Sequence, residues 1–188
     1  GKDSMSGSFN DLDVPPTLVS FAVGVSEASK TASAQFKRAG STVKLVEIPV
    51  DGETGLPNYD KAMALMVDVC NKIREGKVLA AGVVKEGGAA AFGNKTGFTF
   101  ETKLDAKTLF APLQGSFVLE LADENDFDGI TLGTTNDNGV FIIDGTVYTA
   151  DELIAEWTSK LEKVFPTDSG KTAKMPIDVP LYKERSIF

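Results

Sequence analysis

Histidine is absent from the 188 residues, and cysteine occurs only once. Without imidazole the chain cannot build a Ser-His-Asp triad, a Cys-His dyad or a His-ligated zinc site, so proton transfer would fall to carboxylates, lysine or tyrosine. The single Cys70 excludes an intrachain disulfide and a paired-cysteine metal site. It is typical of a small apolar residue on a helix face in a reducing compartment. The sequence therefore predicts a cytoplasmic protein.

Positive charge and long apolar runs are also scarce. Lysine and arginine number 19 against 27 aspartates and glutamates, which gives a net charge of −8. A chain of that sign repels phosphate backbones and anionic lipid, so nucleic acid and membranes are not expected partners. The longest uncharged apolar run, 78–84, is far shorter than the roughly 20 residues of a membrane span. The first residues lack the pattern of a signal peptide, and we interpret the chain as a piece of a longer polypeptide.

Apolar residues, by contrast, are plentiful and patterned. They make up 42% of the chain and include 12 phenylalanines, enough for the core of one domain, or of one domain with a piece of another. Period-two alternation and short apolar runs predict strands, whereas spacing of three to four residues predicts helices. The expected strands are 17–25, 41–48, 78–84, 97–102, 116–121, 130–132 and 140–143, and the expected helices are 58–75, 106–110 and 150–164. We predict an α+β fold with a mixed sheet covered by the helices at 58–75 and 150–164.

Cap residues support both of the longer helices. Asn58 is a good N-cap for the first, and Thr149 with Glu152 has the spacing of a capping box for the last. In the last helix, Leu153 and Trp157 belong to one apolar face. We expect this face, including the indole of Trp157, to be buried against the sheet.

Turn residues place two hairpins in the second half of the chain. Residues 134–139 end in Asn-Gly, which favours positive φ, so 130–132 and 140–143 are expected to pair as a hairpin. A second hairpin turn is expected at 144–145, an Asp-Gly pair. At the other end of the chain, the polar residues 1–13 are expected to form a loop ahead of the first strand.

The first candidate site lies in residues 1–7. This stretch combines the carboxylate of Asp3, which can hold a hard cation, with the hydroxyls of Ser4 and Ser6, a lysine and flexible glycines. Phosphate groups and Mg²⁺ take such ligands. The stretch is not a Walker A loop, because the upstream glycine is missing and no helix is expected after it. Contact with a nucleotide and a solvated turn both remain open as interpretations.

Two further motifs end in glycine. Gly87 and Gly88 follow the strand 78–84, and their backbone N–H groups could bind an anion if a helix began there. Residues 124–129 resemble the start of a calcium-binding loop. The twelfth position of such a loop is Thr135, where a bidentate glutamate is needed, so we predict an ordinary loop there.

Five segments, in the same order, resemble the large single-chain form of phosphoribosylformylglycinamidine synthase. They are GKDSMSG at 1–7, VPPTLVSFA at 14–22, QFKRAGS at 35–41, VKEGG at 84–88 and FGNKTGF at 92–98. The resemblance implies that residues 1–30 are the end of a preceding ATP-binding half-domain. It further implies that 31–166 form a domain like the C-terminal domain of aminoimidazole ribonucleotide synthetase, and that 167–188 are a linker toward a glutaminase domain.

The resemblance also implies a reaction. Members of this family convert formylglycinamide ribonucleotide to formylglycinamidine ribonucleotide in purine biosynthesis, using ATP and glutamine, and they activate the amide oxygen by phosphoryl transfer. Asp3 would be a Mg²⁺ ligand, and Ser4 and Ser6 would contact ATP or a retained ADP. The other cation ligands and the glutaminase residues lie outside the 188 residues. The fragment is therefore expected to be inactive alone and to have the ATP-binding and glutaminase domains as partners.

The sequence departs from the family between two of the matching segments. The family has a helix there, whereas only three alanines separate Gly88 from Phe92. Because a parallel crossover usually needs a dozen or more residues, we expect either a stretch missing from the sequence or a variant without the helix. Two functional alternatives remain open. One is a non-catalytic scaffold that docks the glutaminase or other domains, and the other is a different ATP-using member of the synthetase superfamily.

Overall fold

The computed structural model describes residues 2–85, 94–102, 113–160, 162–163 and 166. Within them the chain forms strands, two α-helices and a 3-10 helix at Ala28–Lys30. The strands are β1 (Lys2–Phe9), β2 (Leu12–Val19), β3 (Thr42–Val46), β4 (Val78–Val83), β5 (Gly97–Phe100), β6 (Phe117–Leu121), β7 (Ile130–Asn136), β8 (Val140–Ile143) and β9 (Thr146–Thr149). The helices are α1 (Tyr59–Arg74) and α2 (Ala150–Ser159). None of the helices in these ranges is long and apolar enough to cross a membrane.

Seven of the strands form one mixed sheet, in the order β4-β6-β3-β7-β5-β8-β9. Neighbouring strands run antiparallel except for β5 and β8, which are parallel, with Phe98 opposite Phe141. β1 and β2 form a separate antiparallel hairpin. The predicted α+β class and mixed sheet are confirmed.

Apolar side chains are buried on both faces of the seven-stranded sheet. In β3, Val43 and Leu45 face a cluster that also contains Phe36 and Phe98, and Val46 faces the other cluster with Leu119. Because successive residues of a strand point to opposite faces, one strand can contribute to both clusters. Each large side chain removed from water in this way contributes about 1.5 to 3 kcal/mol to folding.

Helix α1 covers the face of the sheet that carries Leu119. It begins after Asn58, whose Oδ1 accepts a hydrogen bond from the backbone N–H of Lys61 at 3.2 Å, which confirms the predicted cap and the predicted helix. Ala62 and Val69 are its buried residues. Cys70, expected on an apolar helix face, is exposed.

Helix α2 contacts the core only through its first turn. The capping box is confirmed, because Thr149 and Glu152 bond each other's backbone N–H groups. Ala150 is buried and Leu153 packs against the cluster of Val43 and Leu45. The helix ends at Ser159, earlier than the expected 164.

The expectation that Trp157 is buried against the sheet is wrong, since 69% of the residue is exposed. The physical reason is the position of α2. The helix follows directly from β9, the strand at the edge of the sheet, so only its first turn overlies the core. Trp157 lies one turn beyond Leu153, the last α2 side chain that packs against the core cluster.

The expected hairpin between 130–132 and 140–143 is also wrong, because β5 lies between β7 and β8 in the sheet. The start of β5 passes close beneath the connection between these two strands. A side chain at Gly97 would collide with Asn136 Oδ1 and with the carbonyl of Val140, so only glycine fits there. The second expected hairpin, β8 with β9, is confirmed, with Asp144 at φ 48° and Gly145 at φ 77°.

The N-terminal residues form the β1–β2 hairpin instead of a polar loop followed by a strand at 17–25. The chain turns at Asn10, whose φ of 52° lies in the left-handed region. β1 and β2 pair from Phe9↔Leu12 at the turn to Lys2↔Val19. The expected helix at 106–110, the linker at 167–188 and the connection between Gly88 and Phe92 lie outside the described residues.

Candidate functional site

All three predicted ligand residues of the N-terminal motif lie on β1. Asp3 and Ser4 stand between the pairs Lys2↔Val19 and Met5↔Thr17, where β1 has one residue more than β2. They therefore occupy a β-bulge, a feature that re-aims side chains and is common next to active sites.

A second irregularity follows at once and compensates for the first. Ser6 alone stands between Met5 and Gly7, whereas Pro15 and Pro16 stand opposite it on β2. Proline cannot donate to the strand ladder, which explains why the extra residue of β2 falls there. After both bulges the pairing returns to the original register, with Gly7 opposite Val14. The motif is thus held in a defined backbone shape and not in a loop.

The donor chemistry of this strand fits a cation bound to phosphate only in part. Mg²⁺ in such sites takes one or two carboxylates, phosphate oxygens and water. Asp3 supplies one carboxylate, and Ser4 and Ser6 supply hydroxyls on the same strand. Over the described ranges, the structure has no group of three or more acidic, cysteine or histidine residues that could hold a metal ion. Any remaining ligands would come from the nucleotide or from another part of a larger site.

The second candidate, Gly87 and Gly88, lies outside the described residues. The structure does describe the strand end that leads to it. Val84 donates its N–H to the carbonyl of Ser116 at 2.8 Å and accepts from the N–H of Gly115 at 3.3 Å. The chain is therefore held against the start of β6 up to the last residues before the glycines.

A buried carboxylate that the sequence analysis did not single out anchors the segment between the hairpin and the sheet. Glu120, in β6, is fully buried. Its Oε2 accepts the backbone N–H of Lys37 at 2.7 Å, and its Oε1 accepts that of Arg38 at 3.2 Å. Two amide donors thus satisfy both oxygens of a charged group that would otherwise be costly to bury.

Further bonds hold the same segment on the sheet. Arg38 donates from Nε to Ser41 Oγ at 3.0 Å and from a terminal nitrogen to the carbonyl of Ala122 at 2.5 Å. Thr135 Oγ1 donates to the carbonyl of Arg38 at 2.7 Å and accepts the N–H of Ser41 at 2.8 Å. Residues 37–41 are consequently fixed, although they belong to no helix or strand.

The motif at 124–129 lies in a loop whose carboxylates serve its own turns. Asp123 accepts the backbone N–H of Asn125 at 2.9 Å, and Asp126 accepts that of Asp123, also at 2.9 Å. The ammonium group of Lys44 donates to the carbonyls of Glu124 at 2.7 Å and Phe127 at 3.0 Å. The loop is therefore organised by a lysine of β3.

Shifted pKa values in the described ranges occur at caps, turns and surface pairs. Backbone and side-chain hydrogen bonds from Thr54 lower the pKa of Asp51, and bonds from Asn125 lower that of Asp123. Bonds from Thr149 lower the pKa of Glu152. A hydrogen bond with Lys77 lowers the pKa of Glu75 and raises that of Lys77. These shifts have local structural causes and do not mark a catalytic group.

No protein-family model matches the chain. The candidate site therefore stands on its own residues, the three polar side chains of the bulged strand β1, together with the resemblance of the N-terminal motif. Sequence reasoning found these residues because they cluster within seven positions. It missed Glu120, because a charged residue between the apolar positions of an alternating strand has the pattern of a solvent-facing residue.

Proposed function

We propose that the chain is a fragment of an ATP-dependent, glutamine-using amidoligase that makes formylglycinamidine ribonucleotide from formylglycinamide ribonucleotide. The observation that carries the proposal is the position of Asp3, Ser4 and Ser6 together at the bulges of β1. In this proposal Asp3 binds Mg²⁺, and Ser4 and Ser6 contact ATP or ADP. Gly87 and Gly88 contribute a phosphate contact from the other part of the chain.

The architecture supports a division into two parts at about residue 30. Among the described strands, β1 and β2 pair only with each other, and the larger sheet begins at β3. In the proposal the hairpin is the end of an ATP-binding half-domain, and residues 31–166 form a domain like the C-terminal domain of aminoimidazole ribonucleotide synthetase. The enzyme would act in the cytoplasm, with its glutaminase domain beyond residue 188.

The buried Glu120 supports the same division. It ties residues 37 and 38 to β6, so the connection between the hairpin and the sheet spans residues 20–36. The proposed boundary at about residue 30 falls within this connection.

Titration of the ¹⁵N-labelled chain with Mg-ADP tests the proposal. Because Asp3 is a single carboxylate of an incomplete site, we expect a dissociation constant of about 1 mM or weaker, which amide chemical shifts detect. Resonances of β1 should move in the presence of Mg²⁺, and the movement should be lost with Asp3→Asn. Asp11→Asn, at the turn of the same hairpin, is the matched control and should leave the movement unchanged.

Three results would contradict the proposal. They are no movement up to about 10 mM Mg-ADP, equal movement without Mg²⁺, and equal movement in Asp3→Asn. The first result would favour the scaffold alternative, in which the chain docks other domains and binds no nucleotide.

A further inference from the structure

The connection between β7 and β8 contains the single asparagine of the chain that a glycine follows. Asparagines stand at 10, 58, 71, 94, 125, 136 and 138, and only Asn138 precedes a glycine. Asparagine is chemically labile, because its side-chain amide reacts with the backbone nitrogen of the next residue. A side chain on that residue obstructs the reaction, whereas Gly139 has no Cβ and leaves its nitrogen open. On this criterion Asn138 is the most reactive asparagine of the chain.

The side chain of Asn138 is also less restrained than those of nearby asparagines. The amide of Asn94 donates to the carbonyl of Phe36 at 2.7 Å. The amide of Asn136 donates to the carbonyl of Val140 at 3.0 Å. Asn138, by contrast, is exposed, and its side chain makes no hydrogen bond to another described residue. Its Cγ is therefore free to turn toward a nucleophile.

The backbone nitrogen of Gly139 is free as well. Gly139 lies between the two strands with a φ of 67°, and its N–H donates to no described residue. The chain just after this nitrogen is held on the sheet. The carbonyl of Gly139 accepts the N–H of Ala150 at 2.9 Å, and Val140 pairs with Thr149. The reacting nitrogen is thus unpartnered, although it lies beside an ordered strand.

We infer that Asn138 deamidates spontaneously in the folded chain through attack by the backbone nitrogen of Gly139. The nitrogen loses its proton and bonds to Cγ of Asn138, and the side-chain amide leaves as ammonia, which produces a cyclic imide. Water then opens the imide at one of its two carbonyls. Opening at Cγ leaves an aspartate, whereas opening at the backbone carbonyl leaves an isoaspartate, whose main chain runs through Cβ and Cγ. The sequence of steps consumes water alone, and the inference does not depend on the proposed function.

The two products have different consequences for the fold. Both replace a neutral amide by a carboxylate beside Asp137, in a chain whose net charge is already −8. Isoaspartate also inserts an additional carbon into the main chain between Asn136, where β7 ends, and Gly139. Because the carbonyl of Gly139 holds the N–H of Ala150, the first residue of α2, we expect isoaspartate to weaken this hydrogen bond. Aspartate keeps the length of the main chain and should leave the bond intact.

Incubation of the whole chain at mildly alkaline pH, below its melting temperature, tests the inference. Peptide mass spectrometry measures the conversion of each asparagine. Asn136, which an aspartate follows, is the internal control, and we expect Asn138 to convert faster by about tenfold or more. Asn138→Gln is the matched variant, because it keeps an amide but requires a larger ring. It should abolish conversion at this position and leave the melting temperature unchanged, since the side chain is exposed.

Product analysis identifies the nucleophile. A cyclic imide gives isoaspartate together with aspartate, whereas direct attack of water on the side chain gives aspartate alone. Labelling with isoaspartyl methyltransferase measures the isoaspartate, which should accumulate at position 138 and be absent there from Asn138→Gln.

Amide exchange measures the effect on α2. Exchange at Ala150 should be faster in the isoaspartate form than in the unmodified chain. It should be unchanged in Asn138→Asp, which has the added charge without the longer main chain.

Two results would overturn the inferred reaction. They are conversion at Asn138 no faster than at Asn136, and a product at position 138 that contains aspartate without isoaspartate. Exchange at Ala150 that is the same in the isoaspartate form and the unmodified chain would overturn the inferred effect on α2. None of these results bears on the nucleotide contact proposed for β1, so the two proposals can fail separately.

Discussion

The N-terminal hairpin and the seven-stranded sheet differ in how far their apolar side chains are buried. In the sheet, Leu119 and Leu121 are fully buried on the face that α1 covers. In the hairpin, Leu18 and Val19 of β2 are exposed, as is Phe21 beyond it. A two-stranded hairpin alone is marginally stable in water. We therefore expect the seven-stranded sheet to be stable by itself, and the hairpin not to be.

The most direct test of this difference is to truncate one leucine in each region and compare the free energies of unfolding. Leu119→Ala removes a fully buried side chain and should lower the free energy of unfolding by about 3 to 5 kcal/mol. Leu18→Ala should change it by less than about 0.5 kcal/mol, because the side chain is exposed. Urea unfolding followed by far-ultraviolet circular dichroism measures both. Similar losses in the two variants would show that the hairpin belongs to the same cooperative unit as the sheet.

The second substitution tests whether the buried anchor holds the connection between the regions. Glu120→Ala removes a fully buried side chain and leaves the N–H groups of Lys37 and Arg38 without their acceptors, so it should lower the free energy of unfolding by about 2 to 4 kcal/mol. Glu47→Ala, at an exposed position beside β3, is the control and should stay within about 0.5 kcal/mol of the unmodified chain. If the two variants are equally stable, the carboxylate does not anchor the segment.

The third and smallest effect depends on pH and concerns the cap of α2. Hydrogen bonds from Thr149 hold the pKa of Glu152 below its ordinary value of 4.5. A lowered pKa means that the bond stabilises the folded chain above the unfolded value and is lost as the pH falls through the folded value. Glu152→Gln should therefore be less stable than the unmodified chain at pH 7, and the difference should shrink as the pH falls through the folded pKa of Glu152. A difference in stability that does not change as the pH falls would contradict this cause.

Local patterns in the sequence were sufficient to locate both α-helices and most strands of the seven-stranded sheet, but not the β1–β2 hairpin or the strand order. Asn58 and the Thr149–Glu152 pair act through neighbouring residues, so cap chemistry predicts both helix starts. The strands with simple alternation, such as β6, were located for the same reason. Features that depend on distant parts of the chain could not be found in this way.

Three features show what local patterns miss. Glu120 reads as a solvent-facing residue until residues 37 and 38 cover it from more than eighty positions away. The insertion of β5 between β7 and β8 depends on close approach at Gly97, which no turn signal reveals. Trp157 has the spacing of a core residue, but α2 packs against the core cluster through Leu153, and the indole one turn later is exposed.

The candidate site also has one feature that the local sequence predicts and one that depends on distant residues. Asp3, Ser4 and Ser6 were found because they are close in sequence, whereas the bulges at these positions follow only from the register in which β1 pairs with β2. The polarity of the motif was therefore predictable, whereas its backbone shape was not.

Amide hydrogen exchange on the dilute chain tests the central claim, that the sheet is self-sufficient and the hairpin gains stability from what it binds. We expect β6 amides to exchange only through global unfolding and β1 and β2 amides to exchange much faster. Mg-ADP should slow exchange in β1 and leave exchange in β6 unaffected. Exchange in the hairpin as slow as in β6, in dilute protein without ligand, would contradict the account.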